Sequence, residues 1–153
     1  MKGLFYGDKM LFVFLTNQFY EDYTTCNEIE QKSNRPYILV LVKLHNIDFA
    51  IPLRSNIKHS YVFWTDKDNG CGLDFSKAVV ITDKNKYIDY TVEPQIRQVE
   101  FNALKGKDII IKRRMVSYIN KYKKALNEQN IARNRMLCNY SALQYFHDEL
   151  GIK

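Results

Sequence analysis

The sequence predicts an α+β domain, a twisted, mostly antiparallel β-sheet partly wrapped by helices, and three observations carry that reading. Short runs of β-branched and aromatic residues, each closed by a turn signal, fill the first two thirds of the chain. After Pro94 the hydrophobic period lengthens from two to about 3.6 residues. The 153 residues, 46% of them hydrophobic, suffice for one core, so the expectation is a single domain over 1–153 with residues 1–9 as a flexible extension.

Residues 10–15 form a short apolar run and are expected as a strand, after which Thr16 or Asn17 caps a helical turn bearing Phe19, Tyr20 and Tyr23. The polar stretch 26–34 is a loop ending at Arg35-Pro36, because the residue before proline is pushed into extended geometry. Residues 37–44 follow as a buried strand, 45–48 as a turn and 49–53 as the returning strand of an antiparallel hairpin. Residues 61–64 give another strand, closed by the turn-rich 65–70, and 73–81 and 86–91 give two more, separated by Asp83-Lys84-Asn85. Residues 95–104 make a short helix. The next segment, 107–126, is a long amphipathic helix with Ile111, Met115, Ile119, Tyr122 and Leu126 on its apolar stripe. Ser141 and Gln144 stand as a capping box before Leu143, Phe146 and Leu150, with Gly151 placed to stop that last helix.

Composition excludes several classes. No apolar run approaches the roughly 20 residues of a membrane span, and the polar N-terminus lacks the features of a secretory signal. A cytoplasmic protein is expected. Cys26, Cys71 and Cys138 are odd in number and widely spaced, which fits neither a disulfide framework nor a zinc knuckle. The net charge of +6 points to an anionic partner, and it is concentrated. Residues 101–135 hold Lys105, Lys107, Lys112, Arg113, Arg114, Lys121, Lys123, Lys124, Arg133 and Arg135 against only Asp108 and Glu128. A merely solvated helix face usually carries acidic partners one turn away, and this one largely lacks them, so the stripe suits a polyanion such as RNA.

No glycine-rich phosphate loop, HExxH, EF-hand loop or GxSxG occurs, and His45, His59 and His147 are too scattered for a metal site, so neither metal nor cofactor is expected. The chemistry-bearing cluster is Arg54-Ser55-Asn56-Ile57-Lys58-His59, leaving the strand after Pro52-Leu53. It offers a guanidinium, a hydroxyl, an ammonium and an imidazole. These groups suit cleavage of RNA by its own 2'-hydroxyl, which needs a base, cations around a five-coordinate phosphorus and an acid for the leaving oxygen. The same residues also read as a loop exposing polar groups after a strand. Tyr20 and Tyr23, three apart, either stack on unpaired bases or pack in the core. Lys77 lies inside the apolar run 75–81, on the face of Phe75 and Val79 if that run is a strand, and needs either a cleft or a route to the rim.

Taken together, Arg35-Pro36-Tyr37 leading into 38–41, then Phe49-Ala50-Ile51-Pro52-Leu53-Arg54-Ser55-Asn56-Ile57-Lys58-His59, the segments 72–81 and 100–107, and the closing Tyr140-Ser141-Ala142-Leu143-Gln144-Tyr145-Phe146 resemble, in order, the toxins of type III toxin-antitoxin systems. The resemblance is to the TenpN/CptN-like branch of the ToxN/AbiQ superfamily. It implies a metal-independent endoribonuclease that leaves a 2',3'-cyclic phosphate and a 5'-hydroxyl. It further implies inhibition by a small structured antitoxin RNA that the enzyme itself processes, closed multi-subunit protein-RNA assemblies and a part in abortive defence against phage. By position it assigns catalysis to Arg35, Arg54, Ser55 and Lys58, with His59 beside them, and the N-terminal helix tyrosine to Tyr20 or Tyr23. Where ToxN-like members have two hydroxyl residues followed closely by lysine, this chain has Arg54 before a single hydroxyl, and Lys58 comes one position later. Antitoxin and substrate RNA would share the basic groove, touched by Tyr20, Tyr23, Lys77, Lys105, Lys107, Lys112, Arg113, Arg114, Lys121 and Lys124.

Overall fold

The computed structural model describes residues 10–31 and 37–153, so the expected extension at 1–9 and Arg35 lie outside the described residues. The elements are β1 (Leu11–Leu15), α1 (Asn17–Asp22), β2 (Leu39–Leu44), β3 (Ile47–Arg54), β4 (Val62–Asp66), β5 (Cys71–Asp74), β6 (Val79–Ile81), α2 (Lys84–Tyr87), β7 (Ile88–Asp89), α3 (Gln98–Leu104), α4 (Asp108–Leu126) and α5 (Ala132–Tyr140). They build a single α+β domain with one antiparallel sheet in the order β4-β5-β3-β2-β1-β7 and β6 alongside β3, the class that the patterning predicts.

The β2–β3 hairpin is the centre of the sheet. Its turn is tighter than the expected 45–48: Leu44 pairs with Ile47, and only His45 and Asn46 lie between, at φ 50° and 65°. Positive φ at both central positions matches the right-handed twist of the strands, and asparagine tolerates it well. Val40, Ile51, Phe49 and Ala50 are almost fully buried at the heart of the core.

The expected single strand over 73–81 is interrupted. β5 and β6 both pair with β3, but the pairing register jumps by three residues between them, and a 3₁₀ turn at Phe75–Lys77 takes up the difference. Asp74 causes the break. Its carboxylate accepts from the Ser76 N–H at 2.9 Å, so the side chain offers the backbone a local partner in place of the ladder. The same competition shortens the expected strand 86–91 to Ile88–Asp89: Asp83 caps Lys86 N–H at 3.2 Å and draws 84–87 into the helical turn α2.

In α4 the buried stripe is Ile111, Met115, Tyr118, Tyr122 and Ala125, with the expected Ile119 and Leu126 at its partly buried margins. Residues 132–140 form α5, which hydrophobic periodicity does not predict. Beyond it Ser141 caps Leu143 N–H at 3.2 Å, but the Gln144 amide turns to the carbonyls of Asn139 and Ser141, so 142–145 is a 3₁₀ turn and no capping box closes. Gly151 adopts φ 71°, as a terminating glycine must.

Helices cover both faces of the sheet. On one, Leu15, Leu39 and Pro52 gather with Tyr20 and Val79, and α4 packs over β2 and the 3₁₀ turn. On the other, Phe12 meets Phe101 of α3 with ring centroids 6.4 Å apart, and α3 lies against β4. Among the described residues no helix is long and apolar enough to cross a membrane.

Candidate active site

β3 ends where strand alternation sends neighbouring side chains to opposite faces, and the candidate site begins there. Arg54 turns to the α4 side. Its Nη1 donates to Asp74 at 2.5 Å and its Nε to Glu30 at 3.0 Å. Ser55 is exposed and lines a cavity of about 610 Å³ on the α3 side, together with Tyr37, Gln95, Arg97 and Glu100.

The chain then folds back on the β4–β5 turn. Asn56 takes φ 56°, buried Ile57 donates its N–H to Gly70 O at 3.1 Å, and His59 is carried over Asp74. The His59 tautomer follows from its neighbours. Tyr61 N–H donates to Nδ1 at 3.0 Å, so Nδ1 is the acceptor and Nε2 bears the proton. That Nε2–H lies 3.2 Å from the Asp74 carboxylate and 3.3 Å from Ser76 Oγ, which itself donates to Asp74 at 2.6 Å. Asp74 is the keystone: its side chain has no solvent exposure and gathers Arg54, His59 and Ser76. Burial favours its neutral form, yet the hydrogen bonds from His59, Ser76 and Arg54 outweigh that and hold its pKa below the usual aspartate range.

Lys77 closes the same corner. It is in the 3₁₀ turn and not in a strand, which corrects the alternation argument, and its half-buried ammonium donates to Tyr140 O at 3.0 Å. Burial lowers its pKa, against the opposing pull of Glu30 and Asp74. Lys58 is exposed and forms no ion pair among the described residues. The structure therefore brings Arg54 and His59 together through Asp74, with Lys77 nearby, and leaves Ser55 and Lys58 outside that cluster.

Of the two uses open to Tyr20 and Tyr23, packing is the one their surroundings show. Tyr20 is only 9% exposed, edge-on to Phe19, and its hydroxyl is pushed up to about 12 by burial and by Tyr37. Tyr23 packs among Phe19, Tyr87 and Phe146. Helical spacing that puts two rings on one face serves the core here.

The basic helix joins the cluster through Tyr61. The His59 and Tyr61 rings are 5.6 Å apart, and Lys121 Nζ sits 5.7 Å from the Tyr61 ring centroid. From there a groove of about 550 Å³ runs between α4 and α5, lined by Lys121, Lys124 and Arg133 among others. Arg114 lines a smaller neighbouring cavity that shares Tyr61, Ser117 and Lys121 with the groove, donating to Val62 O at 2.8 Å and lying over Phe63 and Phe75. Lys105, Lys107 and Arg113 are exposed further along and Lys112 is half-buried. Among the described residues no group of three or more His, Cys, Asp or Glu side chains is placed to hold a metal ion.

Asp74, Ser76, Glu30 and Tyr61 were not expected at the site. Asp74-Phe75-Ser76 did carry a signal, since an aspartate two residues before a serine is a turn-forming pattern, but the apolar residues around it read as strand. Comparison with protein-family models, with curated proteins and with solved structures finds no match to this chain.

Proposed function

We propose that the chain is a cytoplasmic, metal-independent endoribonuclease of the type III toxin kind, held in check by a small structured RNA that occupies the same basic groove, in closed protein-RNA assemblies. The observation that carries this reading is the Asp74-centred cluster of Arg54, His59 and Ser76 abutting, through Tyr61, a groove lined by Lys121, Lys124 and Arg133. A polyanion following that groove is delivered to the 54–59 loop. There the 2'-oxygen attacks the adjacent phosphorus, its proton passes to a base, the bond to the 5'-oxygen breaks, and that oxygen takes up a proton. The products are a 2',3'-cyclic phosphate and a 5'-hydroxyl.

In this reading Lys58, exposed and without an ion pair among the described residues, meets the phosphate at the crest of the loop, and Ser55 donates a hydrogen bond from the α3 side. Arg54 supports the charge of the phosphorane while anchored by Asp74. Both nitrogens of His59 are engaged, so proton transfer there requires the Tyr61 N–H bond to open. That same saturation favours a second reading, a non-catalytic module that only holds structured RNA.

The test is incubation of the purified protein with unstructured RNA in EDTA, followed by end-group analysis. Cyclic phosphate ends that fall by roughly 10²-fold or more in Lys58→Ala, with the fold intact, support the nuclease. Intact RNA with binding that weakens steeply with salt supports the holding module.

A further inference from the structure

The cavity on the α3 side lies apart from the basic groove and meets the charged cluster only at Arg54, which lines both. It is about 610 Å³, within the range of small-ligand sites, and mixes Tyr37 and Ile96 with the polar ends of Ser55, Gln95 and Arg97. At its wall lies a carboxylate, Glu100, in a residue only 9% exposed. One oxygen accepts from Thr65 Oγ1 at 2.5 Å and the other from Arg97 Nε at 3.3 Å. These two contacts leave further lone pairs on both oxygens, since an ionised carboxylate offers about four acceptor sites. Arg97 also pairs with Asp66 at 3.3 Å.

A pair of buried acceptors in a cavity that also holds the Tyr37 ring and the side chains of Ile38, Leu53 and Ile96 suits a ring that presents two adjacent N–H donors. Among the RNA bases only guanine does so on its Watson–Crick edge, through N1–H and the N2 amino group. Adenine and cytosine each pair an amino donor with an acceptor nitrogen, and uracil has one N–H between two carbonyls. Those edges leave a Glu100 oxygen facing another acceptor, which costs more than a missing bond. The cavity shares its rim with the loop that carries Arg54 and Ser55, so a base seated in it holds its own phosphate at that loop. Single-stranded RNA is recognised in this manner, with unpaired bases splayed into pockets and read on their edges.

We infer that the Glu100 cavity is a guanine-reading subsite that sets which nucleotide is presented to the 54–59 loop. This rests on the RNA-binding part of the proposed function and is testable apart from cleavage. The probes are fluorescein-labelled heptaribonucleotides of uridine with a single central guanosine, inosine or adenosine, titrated into the protein in EDTA. Guanosine is expected to bind about ten-fold more tightly than adenosine, and inosine, which lacks the N2 amino group, to fall between them. Glu100→Gln, which turns one acceptor into a donor, is expected to abolish the guanosine preference. The inosine comparison needs no variant and so decides the matter even if Glu100→Gln fails to fold.

Equal affinity for the three probes, or a guanosine preference that survives in folded Glu100→Gln, overturns the inference. Equal affinity alongside cleavage overturns it and leaves the nuclease standing. Guanosine preference without cleavage upholds it for an RNA-holding module and removes the nuclease. Failure to bind any probe overturns both.

Discussion

Two arginines, one on each side of the sheet's end, are built on the same plan, and their differences separate the two halves of the candidate site. Each bridges two carboxylates: Arg54 joins Glu30 and Asp74, and Arg97 joins Asp66 and Glu100. Arg54 sits at 3.0 and 2.5 Å with its side chain 25% exposed, against an Asp74 that has no exposure at all. Arg97 sits at 3.3 Å from both partners and is 53% exposed. The first is a closed clamp about a fully buried carboxylate. The second is open, and the carboxylate it steadies still faces a cavity. The closed clamp fixes the loop, and with it the guanidinium proposed to meet the phosphate, while the α3 side is where selection of the base is expected.

Removing Asp74 should break this contrast most strongly. Asp74→Ala leaves Arg54 and His59 facing one another without their shared anion, and losing one partner of a buried pair typically costs about 3–5 kcal/mol. Arg54 keeps Glu30, which places the expected loss near the lower end of that range, and urea unfolding measures it. The pH dependence has a definite sign. Because the folded pKa of Asp74 lies below 3.8, its contribution is complete above that value and is lost as pH falls through the lower folded pKa. Wild-type protein should therefore lose stability in that acid window more steeply than Asp74→Asn, whose curve should be the flatter of the two. Equal slopes would mean that the anion is not what holds the clamp.

Gly72 sharpens the comparison from the backbone side, because it pairs with Arg54 in the register that brings the clamp together. A Cβ there would stand 2.5 Å from Phe63 O and 2.7 Å from Val62 Cγ2, and the first of these is main chain that cannot swing aside. Gly72→Ala is expected to cost about 1–3 kcal/mol by forcing β4 away from β5. Since Phe63 and Trp64 ride on β4, the same variant should perturb tryptophan fluorescence, which a substitution confined to the α4 side should leave alone.

The uneven legibility of these parts in the sequence has physical causes. The β2–β3 hairpin and α4 could be read directly, because the extended apolar runs on either side of 45–46 and the 3.6 period of 111–125 are local patterns with no rival. The β5–β6 break could not, since Phe75, Val79 and Ile81 keep an alternating appearance while a single side-chain cap at Asp74 decides the matter. Within the site, Arg54 and His59 were legible as chemistry leaving a strand. Their partner lies 20 and 15 residues further on and meets them only when β5 pairs with β3. Tyr20 and Tyr23 stayed ambiguous for another reason, as one spacing serves an exposed aromatic face and a core face equally. The cavity was invisible because its walls come from β3, β5 and the approach to α3, which the sheet alone brings together.

The smallest expected effect tests whether the open clamp is structural at all. Arg97→Ala removes two ion pairs of 3.3 Å made by a side chain more than half exposed, where solvent screening leaves such pairs weak. Glu100 retains its hydrogen bond from Thr65, and Asp66 retains one from Asn69 at 2.9 Å, so neither carboxylate is abandoned. The expected urea midpoint is therefore close to wild type, several-fold less displaced than for Asp74→Ala. A loss comparable to that of Asp74→Ala would show that Arg97 is a second closed clamp, and the division between a shaping side and a selecting side of the sheet would fall with it.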